Sequence, residues 1–173
     1  ALRGAFEHAK RNNSAVNLVG LLTEGTVHAS LDHLMALFEM ASLQGVANVK
    51  LHLFSDGKDG TPYRIEKILT KIQGDRLATL MGRYYGMDRE KNWQLTEKAY
   101  ATLTGQWGPV VTDPNPVIEE TYKNGFNEEF VPPIRLREDN GIKENEAVII
   151  FNFREDSIRQ ISEAFIVPNF DHF

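Results

Sequence analysis

The chain has 173 residues, of which 42% are hydrophobic, 25% charged and 10% aromatic, enough to bury the core of one globular domain. Its formal net charge is −5, from 19 Lys and Arg against 24 Asp and Glu, so nucleic acid, which selects basic surfaces, is not an expected partner. The absence of cysteine excludes disulfides, Cys-ligated zinc, iron–sulfur clusters and thiol chemistry, and no apolar run approaches the roughly 20 residues that cross a bilayer, so no membrane partner is expected either.

Residues 1–13 read as a charged helix with Leu2, Ala5, Phe6 and Ala9 on one apolar stripe. Residues 15–22 are a near-continuous apolar run that suits a strand covered on both faces, followed by a loop from Thr23 to His28. Ser30 is placed to cap the next helix, with His33 where a full capping box would have Glu or Gln. Leu31, Leu34, Met35, Phe38 and Ala41 keep helical spacing, and Gly45 offers a left-handed stop. Val49 to Phe54 is a second strand, ending in the turn-rich Ser55-Asp-Gly-Lys-Asp-Gly60. Pro62 suits a helix start, with Ile65, Ile68, Leu69 and Ile72 on one face. A third strand, Arg76 to Met81, runs into Gly82–Arg89 and then a helix from about Trp93 to Thr104.

From Gly105 to Pro116 the periodicity breaks into a long Gly- and Pro-containing connection. A helix over about 116–124 stops at Gly125, and Phe130 to Arg137 is extended, pushed to a sheet edge by Pro132 and Pro133. Residues 146–152 hold the most buried-looking strand, which turns through Phe153–Ser157 into a final helix, Ile158 to Phe165. Strand, loop and helix recur at least four times. That predicts an α/β fold, a three-layer αβα sandwich on a mostly parallel, mixed sheet with antiparallel edges.

Open α/β sheets bind ligands beyond the carboxyl ends of their strands. His28 follows the first strand, Lys58 and Asp59 the second, Arg83 and Arg89 the third, and Arg154 the last. One imidazole, one carboxylate and four cations on one rim suit a small ligand with several anionic groups, since the arginine fork matches phosphate and carboxylate alike. Taken singly, each has a plainer reading: Gly-Lys-Asp-Gly as an ordinary turn, and Arg83, Arg89 and Arg154 as surface cations paired with Asp88, Glu90, Glu155 or Asp156. Tyr84 and Tyr85 suit either core packing or stacking on a ligand. No P-loop, dinucleotide fingerprint or Gly-x-Ser-x-Gly elbow is present. The five histidines (8, 28, 33, 52, 172) do not form a zinc helix, and His52, inside a strand, reads as a packed residue.

Four separated segments carry a family resemblance. They are Val27-His28 with Asp32-His33-Leu34, His52-Leu-Phe-Ser-Asp-Gly-Lys-Asp59, Gly82-Arg-Tyr-Tyr-Gly-Met-Asp-Arg89 followed by Trp93, and Phe151-Asn-Phe-Arg154. In content and order they resemble the 2,3-bisphosphoglycerate-independent (cofactor-independent) phosphoglycerate mutases, over about Ala5 to Phe173. Those enzymes have two domains: one similar to alkaline phosphatases, with a nucleophilic serine and two manganese ions, and an inserted one that holds the glycerate part of the substrate. The resemblance is to the inserted domain alone. It implies one substrate-binding domain over 1–173, with 1–13 and 166–173 leading to a missing phosphatase-like domain. The start at Ala1 without an initiator Met and the aromatic end, Ile166 to Phe173, fit that reading, although a surface-docked tail explains the end as well.

By resemblance, His28 meets the substrate near the domain interface, and Asp59 accepts hydrogen bonds from glycerate hydroxyls. Lys58, Arg83, Arg89 and Arg154 bind carboxylate and phosphate oxygens. The implied reaction interconverts 3-phosphoglycerate and 2-phosphoglycerate in cytoplasmic glycolysis, through a phosphoserine on the missing domain. No metal and no catalytic nucleophile is expected in this chain. The alternative is a non-catalytic phosphate- or carboxylate-binding or regulatory module derived from that domain. Three segments depart from the family pattern: Thr23-Glu24-Gly25-Thr26 replaces Ser-Asp-Gly-Gly, Lys58 replaces an arginine, and Ser157 replaces a second arginine. Either substrate affinity is weakened, another cation such as Arg135 or Arg137 substitutes, or the parent protein has drifted from the standard activity.

Overall fold

The computed structural model describes residues 1–72 and 74–173. Five strands form one sheet in the order β4-β3-β2-β1-β5. They are β1 (Val16–Leu22), β2 (Val49–Ser55), β3 (Leu77–Gly82), β4 (Ile134–Arg135) and β5 (Ala147–Ile150). The pairs β1–β2, β2–β3 and β1–β5 are parallel, and the two-residue β4 is an antiparallel edge on β3. This is the mixed, mostly parallel α/β sheet that the sequence predicts. All seven residues of β1 are buried, as a central strand with helices over both faces requires.

The helices are α1 (Leu2–Asn12), α2 (Leu31–Leu43), α3 (Ile65–Leu69), α4 (Arg83–Gly86), α5 (Trp93–Leu103), α6 (Asn115–Lys123) and α7 (Arg159–Ile166). Ser30 caps α2 as expected, its hydroxyl accepting from the Asp32 N–H at 3.2 Å. The expected helix over 62–72 is only five residues long. The Glu128 carboxylate accepts from the N–H groups of Tyr63 and Arg64 and fixes its start. Its end tightens as the Lys71 and Ile72 N–H groups turn to the carbonyls of Ile68 and Leu69. Of the extended segment expected over Phe130–Arg137, only Ile134–Arg135 is a strand; Phe130 belongs to the 3-10 turn Glu128–Phe130, and Pro132 and Pro133 have no N–H to give a ladder.

Both ends of the chain pack on the body. Phe6 of α1 is fully buried, and enclosing a side chain of that size contributes roughly 2 kcal/mol. Leu2–Asn12 is therefore a seated helix. At the other end, α7 continues to Ile166, and the His172 ring stacks on Trp93 of α5 with centroids 3.8 Å apart. Phe173 lies beside Tyr100 of the same helix.

A polar chain crosses the interior between strands. His52 is fully buried, its Nε2 3.0 Å from Asn17 Oδ1 and its Nδ1 3.0 Å from Thr79 Oγ1. Asn17 Oδ1 only accepts, so Nε2 carries the proton and Nδ1 accepts from the Thr79 hydroxyl. Asn17 donates onward to Glu146, which also holds Lys50 at 2.9 Å. Burial, with a smaller push from Lys50, lowers the His52 pKa to about 3, so the ring is neutral. The expectation of a packed histidine at 52 holds.

Candidate functional site

Parallel order sends the carboxyl ends of β1, β2, β3 and β5 to one rim. The direction of strand succession reverses between β1 and β5, which is where such folds open a crevice. A cavity of about 420 Å³ lies at this rim, lined by His28, Lys58, Asp59, Arg83, Tyr84, Met87, Asp88, Arg89, Glu90, Asn92, Glu129, Arg154 and Ser157. All six side chains singled out in the sequence line it. Tyr84 also faces it, whereas Tyr85 packs against the core, which divides the two roles left open for that pair.

Local bonding fixes each loop. The Asp56 carboxylate accepts from the N–H groups of Lys58, Asp59 and Gly60 and from the Thr23 hydroxyl at 2.5 Å. Burial pushes its pKa up, but the Thr23 hydroxyl and those N–H groups outweigh burial and leave it below the usual carboxylate value. The turn carrying Lys58 and Asp59 is therefore wound around a buried anion. Gly25 lets the first loop lie on this turn, since a Cβ there would stand 2.8 Å from Asp59 backbone atoms. The β1 and β5 loops are joined by the Phe153 N–H, which donates to the His28 carbonyl at 2.9 Å.

Arg83 is the hub. Its Nη1 donates to Asp56 at 2.7 Å and to Asp59 at 2.8 Å, and the guanidinium is only 10% exposed. Asp59 also bonds His28 Nδ1 at 2.7 Å. A carboxylate only accepts, so Nδ1 carries a proton and Nε2 is the ring nitrogen left for a ligand. The outer cations are paired more loosely. Lys58 reaches Glu129 at 2.6 Å while remaining 63% exposed. Arg154 grips Asp156 through Nε and Nη2, both at 2.9 Å, and Arg89 Nη1 meets the same carboxylate at 2.7 Å. Hydrogen bonding to Arg154 and the charges of both arginines hold the Asp156 carboxyl below its usual range.

The rim carries more acid than the one carboxylate expected. Lys58, Arg83, Arg89 and Arg154 are matched in the cavity lining by Asp59, Asp88, Glu90 and Glu129. Glu129 arrives from the 3-10 turn Glu128–Phe130 that follows α6, through a close approach at the end of β3. The Gly82 N–H donates to the Val131 carbonyl at 2.7 Å, and a Cβ on Gly82 would stand 1.9 Å from the Glu129 carbonyl oxygen. Only glycine fits there. Sequence reading missed Asp56 and Glu129. A first acid in Ser55-Asp-Gly-Lys-Asp-Gly60 was a usable signal for Asp56, but Glu129 carries none.

Neither Arg135 nor Arg137 replaces the arginine absent at 157. Arg135 spends its guanidinium on the carbonyls of Gly108 and Gly105 beside the edge strand. Arg137 lines cavities with Leu77 and Val49, at the amino ends of β3 and β2. Ser157 itself is 3% exposed, and its hydroxyl has no hydrogen-bond partner among the described residues. Among those residues no group of three or more His, Asp or Glu side chains is arranged to hold a metal ion. No described helix is long and apolar enough to cross a membrane.

Comparison with known proteins places these observations. The family model described as BPG-independent PGAM N-terminus matches residues 1–173. The 2,3-bisphosphoglycerate-independent phosphoglycerate mutase of Listeria innocua is 41% identical over 184 residues, which cover 100% of this chain and 36% of that protein. Those of Clostridium novyi and Salinibacter ruber are 39% and 37% identical, with the same coverage of both chains. The chain thus spans about a third of the length of these relatives. A crystal structure of Leishmania mexicana phosphoglycerate mutase, determined at low cobalt concentration, superposes with a TM-score of 0.86 at 22% identity, covering 99% of this chain and 35% of that one; it supports the fold.

Proposed function

We propose, because this chain belongs to the family described as BPG-independent PGAM N-terminus, that it is the substrate-holding domain of a phosphoglycerate mutase that interconverts 3-phosphoglycerate and 2-phosphoglycerate. The supporting observation is the single rim cavity on which His28, Lys58, Asp59, Arg83, Arg89 and Arg154 converge from four separate loops. In this reading the phosphoryl group moves to a serine of a phosphatase-like domain outside the chain and returns to the other hydroxyl of the same glycerate. Metal chemistry belongs to that domain, where two manganese ions are expected.

The task of this chain is retention. Once the phosphoryl group has left, glycerate is a small, highly soluble anion that water would carry away. Arg89 and Arg154 are placed to hold its carboxylate through charge-assisted bonds. Asp59, fixed by Arg83, is placed to accept from a glycerate hydroxyl, and His28 Nε2 is the ring atom available to a hydroxyl or phosphoryl oxygen. Keeping the acceptor in place makes the return step effectively intramolecular, which is worth up to roughly 7–11 kcal/mol in favourable cases. The reaction is expected in the cytoplasm, without nucleic acid or membrane.

Calorimetric titration of the chain with 3-phosphoglycerate tests this reading. Arg154→Ala removes a charged bond to the ligand, worth about 1.5–3 kcal/mol, so affinity is expected to fall at least about tenfold. Equal binding by the parent and the variant would remove Arg154 from the site. No binding by the parent chain would favour the regulatory-module alternative.

A further inference from the structure

Arg89 and Arg154 come from different loops, 65 positions apart, and two guanidinium groups at one rim repel each other. A single carboxylate resolves the conflict. Asp156 accepts Nε and Nη2 of Arg154 at 2.9 Å each and Nη1 of Arg89 at 2.7 Å. Both arginines line the cavity, and each keeps N–H groups that Asp156 does not use. All three side chains are about half exposed, so packing does not hold either guanidinium in place; the shared carboxylate does.

We propose that Asp156 is the positioning residue of the anion site: it draws Arg89 and Arg154 onto one carboxylate and presents their remaining N–H groups as a preformed pair to the ligand's anionic group. This rests on the function proposed above. Two opposing effects decide the sign. The negative charge of Asp156 repels an anionic ligand, but in a half-exposed setting that repulsion is screened by water and salt. Ordering a long side chain before the ligand arrives is worth about two- to tenfold in affinity, and here two are ordered together. Positioning therefore wins, and removing a negative charge from beside an anion site weakens anion binding. This is the reverse of what the charge alone dictates.

The test is a calorimetric or NMR titration of the chain with 3-phosphoglycerate, using Asp156→Asn, Arg89→Ala and the double variant. Asp156→Asn is expected to weaken binding about three- to tenfold, with the unfolding midpoint unchanged because the site is exposed. In the Asp156→Asn background, Arg89→Ala is expected to cost much less than in the parent, since Arg89 has already lost its placement. A merely structural Asp156 would not produce that coupling. Binding as tight as the parent's or tighter in Asp156→Asn would overturn the proposal and leave the pocket reading standing. No binding of 3-phosphoglycerate by the parent would overturn the pocket reading, and this proposal with it.

Discussion

His52 and His28 sit on and just beyond neighbouring central strands, and both are buried beside polar groups, yet they belong to opposite kinds of site. Around His52, each polar atom of the chain Thr79–His52–Asn17–Glu146–Lys50 meets another inside the sheet. Around His28, one ring nitrogen is spent on Asp59 while the other side of the ring meets a cavity. The first network stabilises one packing and spends its polar atoms on one another, with only its Lys50 end beside an opening. The second holds cations and carboxylates against each other at an opening, where partners can be exchanged. Unspent hydrogen-bonding capacity at an opening, more than burial or charge, separates the candidate site from the interior.

The sharpest way to break this contrast is at Arg83, which belongs to both kinds of environment. Arg83→Ala leaves the buried Asp56 and Asp59 without their cation and is expected to cost about 3 kcal/mol in urea unfolding. Arg154→Ala, at an exposed pair, is expected to stay within about 0.5 kcal/mol of the parent in the same assay. Similar losses for both would mean that the hub is no more deeply built than the rim.

The interior network has its own signature in pH. The folded His52 has a pKa of about 3 against 6.5 for the free side chain, so below 6.5 the unfolded chain takes up a proton that the folded chain refuses. Stability then falls as the pH falls from 6.5 toward 3, by about 1.4 kcal/mol per pH unit, or about 2 kcal/mol by pH 5. The lowered carboxyl pKa of Asp56 acts in the same direction, but only as the pH falls through the carboxylate range. Unfolding curves of the parent and of His52→Gln between pH 7 and 5 check this: the variant is expected to lack the slope. An equal slope in both would place the titrating group elsewhere.

The smallest expected effect is at Lys58, which is 63% exposed and reaches Glu129 as a point charge. Lys58→Arg restores a planar fork and is expected to tighten 3-phosphoglycerate binding about two- to threefold with no change in unfolding midpoint. A loss of affinity would show that the shorter reach of the ammonium is what the site uses.

Much of this molecule could be read from its sequence. Continuous apolar runs placed β1, β2, β3 and β5, and parallel order then required His28, Lys58, Asp59, Arg83, Arg89 and Arg154 to share a rim. The parts that escaped depend on long-range contacts. The α3 helix begins where a carboxylate 65 residues away caps it, and no local pattern announces Glu128 in that role. Glu129 reaches the cavity because Gly82 lacks a Cβ, and a glycine at a strand end has too many other meanings to signal that contact. The near balance of charge at the rim went unseen for the same reason: Asp88 and Glu90 read as surface partners of Arg83 and Arg89, and Glu129 falls between the helix expected over 116–124 and the extended segment that begins at Phe130.

An NMR map of the chain titrated with 3-phosphoglycerate shows directly whether the His28 rim is the anion site. The expected result is a set of perturbed resonances at His28, Lys58–Asp59, Arg83–Arg89, Glu129 and Arg154–Ser157, saturating together. A rival exists at the opposite, amino end of the strands, where Lys50, Arg76 and Arg137 line another cavity together with Asp75. Perturbations confined to those residues, with the His28 rim silent, would contradict the account.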